Sequence, residues 1–219
     1  MVVPIQMPIG EEKDFKGVID LIGMKAYTFA ADGSGKMTAG AVPADLAEAV
    51  TSAREALVEV VAEADDILME KFFEVGTLTQ DELVGGLRRA VVGRKLFPLV
   101  CTSALANIGI QPALDAIVAY FPAASERTVK ATDKTGADTG ITVSDSGPLS
   151  VFVWKTIADP FAGRISLFRV VRGSLKADST VQNLSNQSPE RIGHLVLLQG
   201  KAQTDVPEIR AGDIGAVAK

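Results

Sequence analysis

The apolar pattern of the first 40 residues predicts short β-strands. Apolar runs cover residues 2–7, 17–22 and 25–29, and Pro4 interrupts the first of them. Proline has no N–H to donate to a neighbouring strand, so the first run is expected at the edge or the end of a sheet. The polar, glycine-containing residues 31–36 form a turn. The chain is therefore expected to begin with a small sheet.

After Pro43 the apolar period changes to three and four residues, which predicts helices. The pattern fits either one helix of about 30 residues or two helices broken near residues 65–66. Four glutamates lie off the apolar stripe and form either an acidic docking face or an ordinary solvated face. The stripe comprises Leu46, Val50, Ala53, Leu57, Val61, Ala64, Leu68 and Phe72, and the glutamates are Glu48, Glu55, Glu59 and Glu63.

A second helix begins at the sequence Thr79-Gln80-Asp81-Glu82, which has the form of a capping box. In this arrangement the threonine hydroxyl and the glutamate carboxylate each accept a hydrogen bond from the other's backbone N–H. A strand at residues 96–101 and a loop then lead to a helix that opens at Gln111-Pro112. The apolar stripe of that helix is Leu114, Ile117, Val118 and Phe121.

The back of the chain is predicted to be all-β. Residues 122–147 are rich in small, polar and turn-forming residues, which is typical of a linker, and a short hairpin around Gly136 is compatible with it. From Leu149 onward, strands at regular spacing predict an antiparallel barrel or sandwich. These strands are expected at residues 151–154, 165–171, 180–182, 191–198 and 214–218.

Composition indicates two small domains in a reducing compartment. The chain has 219 residues, 47% of them hydrophobic, and its single cysteine, Cys101, cannot form an internal disulfide. We therefore expect a cytoplasmic protein. No apolar run approaches the roughly 20 residues that a membrane span needs, so no membrane association is expected.

The net charge of −5 is unevenly distributed. Residues 1–121 hold ten Lys/Arg and seventeen Asp/Glu, whereas residues 148–219 hold nine Lys/Arg and six Asp/Glu. The acidic front half would repel nucleic acid, while the basic back half could neutralise phosphates. Solvated surfaces that differ only in composition explain the asymmetry equally well.

Several motifs resemble elongation factor G, a translational GTPase. Residues 100–112 (VCTSALANIGIQP) resemble its guanine-contacting Ser-Ala-x loop and the following helix. Residues 159–164 (DPFAGR), 168–175 (FRVVRGSL) and 210–214 (RAGDI) resemble its second-domain barrel. Residues 4–10 and 15–21 resemble the entry into the insert of its GTPase domain.

The resemblance implies a fold of α/β plus all-β character, in more than one domain. The expected architecture is a partial P-loop GTPase domain with an α/β insert, followed by a translation-factor-type antiparallel β-barrel. The expected boundaries are the insert at residues 1–95, the C-terminal strand and helix of the GTPase domain at 96–121, a linker at 122–147, and the barrel at 148–219. The barrel is expected to be incomplete at its C-terminal end, with an unpaired edge or frayed end near Lys219.

The motifs that hold phosphate and read the guanine edge are missing from the sequence. There is no Gly-x-x-x-x-Gly-Lys-Ser/Thr loop and no Asn-Lys-x-Asp motif in the 219 residues. We therefore expect an internal fragment with no catalytic residues and no metal ligands of its own. GTP or GDP and magnesium would bind the longer protein, and none is expected on this fragment.

The site residues implied by the resemblance fall into two groups. Ser103, Ala104 and Leu105 form the guanine loop, where the serine hydroxyl braces the turn and backbone N–H groups approach the base. The family usually has Gly-Ser-Ala-Phe followed by lysines, whereas this chain has Thr102, Leu105, Ala106 and Ile108 at the differing positions. The expected RNA-binding or ribosome-binding residues are Lys155, Arg164, Arg172, Lys176 and Arg191.

The function implied is that of a piece of a ribosome-associated GTPase that promotes GTP-dependent translocation. Its expected partners are small-subunit ribosomal RNA through the barrel and ribosomal stalk proteins through the insert, and the fragment itself is expected to be monomeric. A ribosome-recycling or ribosome-protection GTPase paralogue and a non-catalytic ribosome-binding or RNA-binding adaptor are alternatives. A self-contained enzyme is the third class, and the sequence offers no nucleophile–base pair for it.

Overall fold

The chain folds into two compact units that meet in sequence at Phe121 and Pro122. The computed structural model of the protein describes residues 1–133, 135–159, 163–200 and 202–218. The first unit is Met1–Phe121 and the second is Pro122–Lys219. The boundary follows the last helix of the first unit.

The first unit is mixed α/β. Strands β2 to β5 form an antiparallel sheet in chain order, whereas β1 pairs in parallel with β6. The strands are β1 (Val2–Pro4), β2 (Gln6–Ile9), β3 (Gly17–Asp20), β4 (Lys25–Phe29), β5 (Met37–Gly40) and β6 (Phe97–Leu99). The helices are α1 (Ala47–Glu63), α2 (Asp66–Val75), α3 (Gln80–Val92) and α4 (Ile110–Tyr120).

Asp65 separates α1 from α2, so the two-helix alternative is correct. Its Oδ1 atom accepts hydrogen bonds from the N–H groups of Ile67 at 3.2 Å and Leu68 at 3.3 Å. These bonds cap α2, because the first N–H groups of a helix have no partner within it. The other carboxylate oxygen of Asp65 lies 2.7 Å from Nη2 of Arg89 on α3. One aspartate thus starts α2 and ties it to α3.

The predicted capping box at the start of α3 is confirmed. The Thr79 N–H donates to Glu82 Oε2 at 3.0 Å, and the Glu82 N–H donates to Thr79 Oγ1 at 3.4 Å. Lys71 of α2 donates a further hydrogen bond to Oε1 of Glu82. Glu82 therefore stabilises both the start of α3 and its contact with α2.

The core of the first unit lies between the sheet and helices α1 to α3. Its fully buried members include Ile19, Leu57 and Leu87. The helices approach closely at Gly86, where an added Cβ would lie 2.4 Å from Cδ1 of Leu68 and 2.9 Å from Cγ1 of Val61. A glycine at this point lets α3 pack directly on α1 and α2.

Helix α4 presents its predicted apolar stripe to the outside. All four stripe residues are about half exposed or more, and Val118 reaches 83%. The buried positions of α4 are instead Pro112 and Tyr120. An apolar period of three and four residues identifies a helix, but it does not establish what covers the apolar face.

The second unit is built from strands. A five-stranded antiparallel sheet has the order β15-β14-β17-β10-β9, and three two-stranded pairs accompany it: β7–β8, β11–β16 and β12–β13. The strands are β7 (Thr128–Thr132), β8 (Asp138–Thr142), β9 (Ser150–Asp159), β10 (Gly163–Arg172), β11 (Ser174–Lys176), β12 (Thr180–Asn183), β13 (Ser188–Arg191), β14 (Leu195–Gln199), β15 (Ala202–Val206), β16 (Glu208–Arg210) and β17 (Ile214–Ala218).

Two apolar clusters use opposite faces of the five-stranded sheet. Phe168 and Val217 belong to one cluster, together with Ile209 of β16, while Ile165 and Ala216 belong to the other. Neighbouring residues of β17 thus enter different clusters, as the two-residue period of a strand requires.

The second unit contains more strands than the sequence predicted. The linker sequence was compatible with a short hairpin around Gly136, and β7 and β8 form that hairpin. The single strand expected at 191–198 is divided into β13 and β14. Strands β15 and β16 are new, because residues 202–210 lack an apolar alternation. Trp154 is 48% exposed on the edge strand β9.

Parts of two predicted features lie outside the described residues. Residues 160–162 of the motif at 159–164 are among them, as is Lys219. The unpaired edge expected near the end of the chain is not at β17, which pairs with both β10 and β14. Among the described strands of this sheet, β9 and β15 are the edges.

Acid should weaken the link between α2 and α3. Hydrogen bonds from Lys71 and Thr79 lower the pKa of Glu82 from 4.5 to about 2. A carboxylate with a lowered pKa in the folded state stabilises the fold above its unfolded pKa, and that contribution is lost as the pH falls through the folded pKa. The midpoint temperature of thermal unfolding should therefore fall between about pH 5 and about pH 2. The fall should be smaller in Glu82→Gln, which lacks this carboxylate.

The exposed glutamate Glu74 on α2 supplies the control, because Glu74→Gln should keep the wild-type pH dependence. A titration of side-chain carboxyl signals by NMR gives the direct reading. A Glu82 midpoint at or above its ordinary value of 4.5 would contradict the assigned hydrogen bonds.

Candidate functional site

The predicted guanine loop is a tight turn between β6 and α4. Ser103 and Ile108 form an antiparallel bridge in which each N–H donates to the other's carbonyl, at 2.9 and 3.0 Å. The four residues between them make the turn, and the Asn107 N–H donates to the Ala104 carbonyl at 3.3 Å. The loop therefore has a defined backbone conformation.

Gly109 is the position where the loop requires a glycine. Its φ of +74° lies in the left-handed region, and an added Cβ would lie 2.4 Å from the Cys101 carbonyl oxygen. Any other residue would meet both backbone strain and a steric clash. Gly109 also precedes the first residue of α4, so this close contact determines where the helix starts.

The turn leaves two adjacent backbone donors available. Among the described residues, the N–H groups of Ala104 and Leu105 have no backbone hydrogen-bond partner. The Ser103 hydroxyl accepts a hydrogen bond from the Ala106 N–H at 3.4 Å, which braces the turn from inside. Leu105 is fully exposed at the tip, at 101%. Ser103, Ala104 and Leu105 thus lie together in a small turn, in which the N–H groups of Ala104 and Leu105 have no backbone partner among the described residues.

Gln6 supports the start of the loop, and sequence reasoning did not identify it. Gln6 is 6% exposed, and among the described residues it is the one polar residue that is buried. Its Oε1 atom accepts a hydrogen bond from the Cys101 N–H at 3.2 Å. Burial at this point raises the pKa of the Cys101 thiol. The available signal was a glutamine within an otherwise apolar strand.

Two further polar side chains were also missed. Nδ2 of Asn107 donates to the Gly33 carbonyl at 3.2 Å, and Nε2 of Gln111 donates to the Gly35 carbonyl at 2.9 Å. Both acceptors belong to the turn between β4 and β5. Contacts over more than 70 residues of sequence cannot be read from a local pattern.

Strand β10 carries two of the five predicted basic residues, one near each end. Arg164 and Arg172 are eight residues apart, which corresponds to roughly 26 Å along a strand. Nε of Arg172 donates to the Ser146 carbonyl at 3.0 Å, and the same side chain packs against Gly147. Arg172 is therefore partly engaged within its own unit.

The other three basic residues are exposed on three different strands. Lys155 lies on β9 opposite Leu167, and Lys176 lies on β11 opposite Glu208. Arg191 on β13 is 3.7 Å from Asp178, with both side chains more than three-quarters exposed. The structure thus places the five basic residues on four different strands, β9, β10, β11 and β13.

The described part of the chain contains neither a metal-binding cluster nor a membrane-spanning helix. Within residues 1–133, 135–159, 163–200 and 202–218, no group of three or more His, Cys, Asp or Glu side chains is arranged to hold a metal ion. No helix in these ranges is both long enough and apolar enough to cross a bilayer.

Comparison with known proteins points to one family. Residues 148–219 match the family model described as elongation factor G domain 2. A crystal structure of a protein from Thermus thermophilus matches the chain with a TM-score of 0.78 and 29% sequence identity. That match covers 100% of this chain and 30% of the other, so the chain spans less than a third of that relative's length. The chain is elongation-factor-G-like, as its sequence indicated, and residues 148–219 are the part that matches domain 2 of that family.

Proposed function

We propose that the chain is part of a ribosome-associated GTPase that promotes GTP-dependent translocation in protein synthesis. In this proposal the first unit supplies part of the guanine site, and both units supply surfaces that dock on the ribosome. The observation that carries it is the turn with two free N–H donors at Ala104 and Leu105, found in a chain that also matches elongation factor G domain 2.

The free N–H groups suit guanine better than adenine. Guanine presents an acceptor oxygen, O6, where adenine presents an amino donor. A backbone N–H can donate to O6 of guanine. It cannot form a hydrogen bond with the amino group of adenine at the same position, because both groups are donors. Ser103 and Gly109 hold the turn in place, and the small Ala104 side chain leaves room for the base. The loop would therefore select guanine over adenine without a charged side chain.

The rest of the nucleotide would contact residues outside this chain. Strand β6 and the helix α4 would be the last strand and helix of a P-loop GTPase domain, and the elements before β6 would be its insert. GTP or GDP and magnesium would bind through a phosphate loop, which in P-loop GTPases wraps the phosphates and positions the metal ion. This chain would contribute contacts to the base alone.

A titration with nucleosides tests the base contact. In NMR spectra of the 219-residue chain, guanosine should shift the amide signals of Ala104 and Leu105, with a dissociation constant of about 1 mM or weaker. Adenosine should shift them much less, because its amino group cannot accept a hydrogen bond. GTP should bind no more tightly than guanosine, since the phosphate loop is expected outside this chain.

Two results would contradict this assignment. Equal shifts with adenosine and guanosine would remove the selectivity, and a submicromolar affinity for GTP would mean that a phosphate site exists within these residues. Amide signals of Thr204 and Gln203, exposed on the second unit, provide the internal control and should not move.

The second unit is proposed to bind small-subunit ribosomal RNA. Its exposed Lys155, Lys176 and Arg191 stand on a unit with a basic surplus, and such residues bind RNA through phosphate charge and backbone shape. Their distribution over separate strands fits a broad surface that follows an RNA backbone. Arg164 and Arg172 at the two ends of β10 would extend that surface, Arg172 with a geometry already held by Ser146.

The acidic side of α1 is proposed to contact ribosomal stalk proteins. Glu48, Glu55, Glu59 and Glu63 are all exposed. A row of exposed carboxylates on one helix favours a partner with a basic surface, and the attraction would fall with added salt. This contact belongs to the insert and is separate from the RNA-binding surface.

Charge removal on the second unit tests the RNA contact. The double variant Lys176→Ala, Arg191→Ala should bind purified small ribosomal subunits roughly tenfold more weakly, because two phosphate contacts are lost. The dependence of affinity on salt should also become shallower, by about 0.7 to 0.9 in the logarithmic slope for each contact removed. Co-sedimentation over a range of salt concentrations provides both quantities.

The pair of substitutions Lys13→Ala and Lys25→Ala is the matched control, since it also removes two charges and both lysines are exposed on the first unit. It should leave both the affinity and the salt slope unchanged. Binding that falls equally in the control and in the double variant would show a general charge effect and not the assigned surface.

A further inference from the structure

The turn between β4 and β5, residues 30–36, is organised by its own hydrogen bonds. The Ala30 N–H donates to the Lys36 carbonyl at 3.0 Å and closes the turn. Inside it, Asp32 Oδ1 accepts from the Ser34 N–H at 2.9 Å, and Ser34 Oγ accepts from the Lys36 N–H at 3.2 Å. Hydrogen bonding from Ser34 lowers the pKa of Asp32. The turn thus has a defined shape that a neighbouring segment can use.

Two hydrogen bonds join the guanine loop and the first turn of α4 to the turn between β4 and β5. Asn107 reaches the Gly33 carbonyl, and Gln111 reaches the Gly35 carbonyl. Residues 107 and 111 are four positions apart in sequence, so the two side chains hold both the end of the loop and the start of the helix.

Close packing adds to the hydrogen bonds at one of the two glycines. Gly35 is buried, with φ +71°, and an added Cβ there would lie 2.5 Å from Nδ2 of Asn107. Gly33 has nearly the same φ, +74°, but an added Cβ would meet no atom within 4 Å. The fit between turn and loop is therefore tight at Gly35 and open at Gly33.

Asn107 is the residue through which the turn can act on the two free donors. Its own φ is +54°, a left-handed conformation that asparagine tolerates better than most residues. Its N–H closes the loop on the Ala104 carbonyl. The position of the Asn107 side chain thus constrains the backbone conformation that orients the N–H groups of Ala104 and Leu105.

We propose that residues 30–36 are a brace that sets the geometry of the loop at residues 103–108, with Asn107 and Gln111 as its positioning residues. The effect on guanine affinity rests on the proposed function, whereas the effect on loop geometry does not. Because coupling between two sites is reciprocal, a ligand at the loop stabilises the brace as much as the brace favours the ligand. The exposed tip of the brace would let a partner on the insert alter nucleotide affinity.

A pair of glycine substitutions isolates the contact. Gly35→Ala and Gly33→Ala introduce the same methyl group at nearly the same positive φ, but only Gly35→Ala places it against Asn107. Amide hydrogen exchange of the 219-residue chain should show faster exchange of the Ser103 and Ile108 N–H groups in Gly35→Ala, by about fivefold or more. Gly33→Ala adds the same backbone strain without the contact and should change these two rates much less.

Side-chain removal gives the second, independent comparison. Asn107→Ala and Gln111→Ala should accelerate exchange at Ser34 and Lys36 as well as in the loop. The control is Gln187→Ala, which removes a glutamine bond of similar length, 2.9 Å to the Leu184 carbonyl, in the second unit. Thermal melts of each variant separate a local effect from a general loss of stability.

Guanosine titration shows whether the brace also tunes binding. Asn107→Ala should weaken guanosine binding at Ala104 and Leu105 by at least about fivefold, and saturating guanosine should slow exchange at Ser34 and Lys36 in the wild type. If wild type does not bind guanosine, the proposed function fails, while the exchange comparison still decides the brace. Equal exchange rates in Gly35→Ala and Gly33→Ala, with unchanged rates in Asn107→Ala, would overturn the brace.

Discussion

The pair of hydrogen bonds between Ser103 and Ile108 is the constraint on which the candidate site depends. It closes a four-residue turn in which, among the described residues, the N–H groups of Ala104 and Leu105 have no backbone hydrogen-bond partner. Gly109 then lets the chain pass against the Cys101 carbonyl and enter α4. The bridge thus ties the segment that follows β6 to the segment that enters α4.

The two units arrange their chemistry in different ways. In the first unit, polar side chains form hydrogen bonds between residues that are far apart in the sequence. Gln6 holds the start of the loop, and Asn107 holds its end. In the second unit, a sheet with apolar clusters on both faces forms the framework, and the predicted basic residues lie on β9, β10, β11 and β13. A contact with a base needs positioned donors, whereas a contact with an RNA backbone needs charge spread over a surface.

Local patterns allowed much of the fold to be predicted, and long-range contacts account for the rest. The Thr79–Glu82 box was predictable because both partners lie within one helical turn, and the break near Asp65 was recognised as an alternative for the same reason. The exposed stripe of α4 and the role of Gln6 could not be predicted, because each depends on what packs against it in space. Strands β15 and β16 were missed since register with their neighbours, not apolar alternation, makes them strands.

A crystal structure of the chain soaked with guanosine tests the central claim most directly. The account predicts the base against the turn at residues 104–105, with its O6 atom at hydrogen-bond distance, about 2.7 to 3.2 Å, from the N–H groups of Ala104 and Leu105. It also predicts that the Ser103–Ile108 bridge persists in the complex. A base bound elsewhere on the chain, or a turn whose two N–H groups are satisfied by the chain's own atoms, would contradict it.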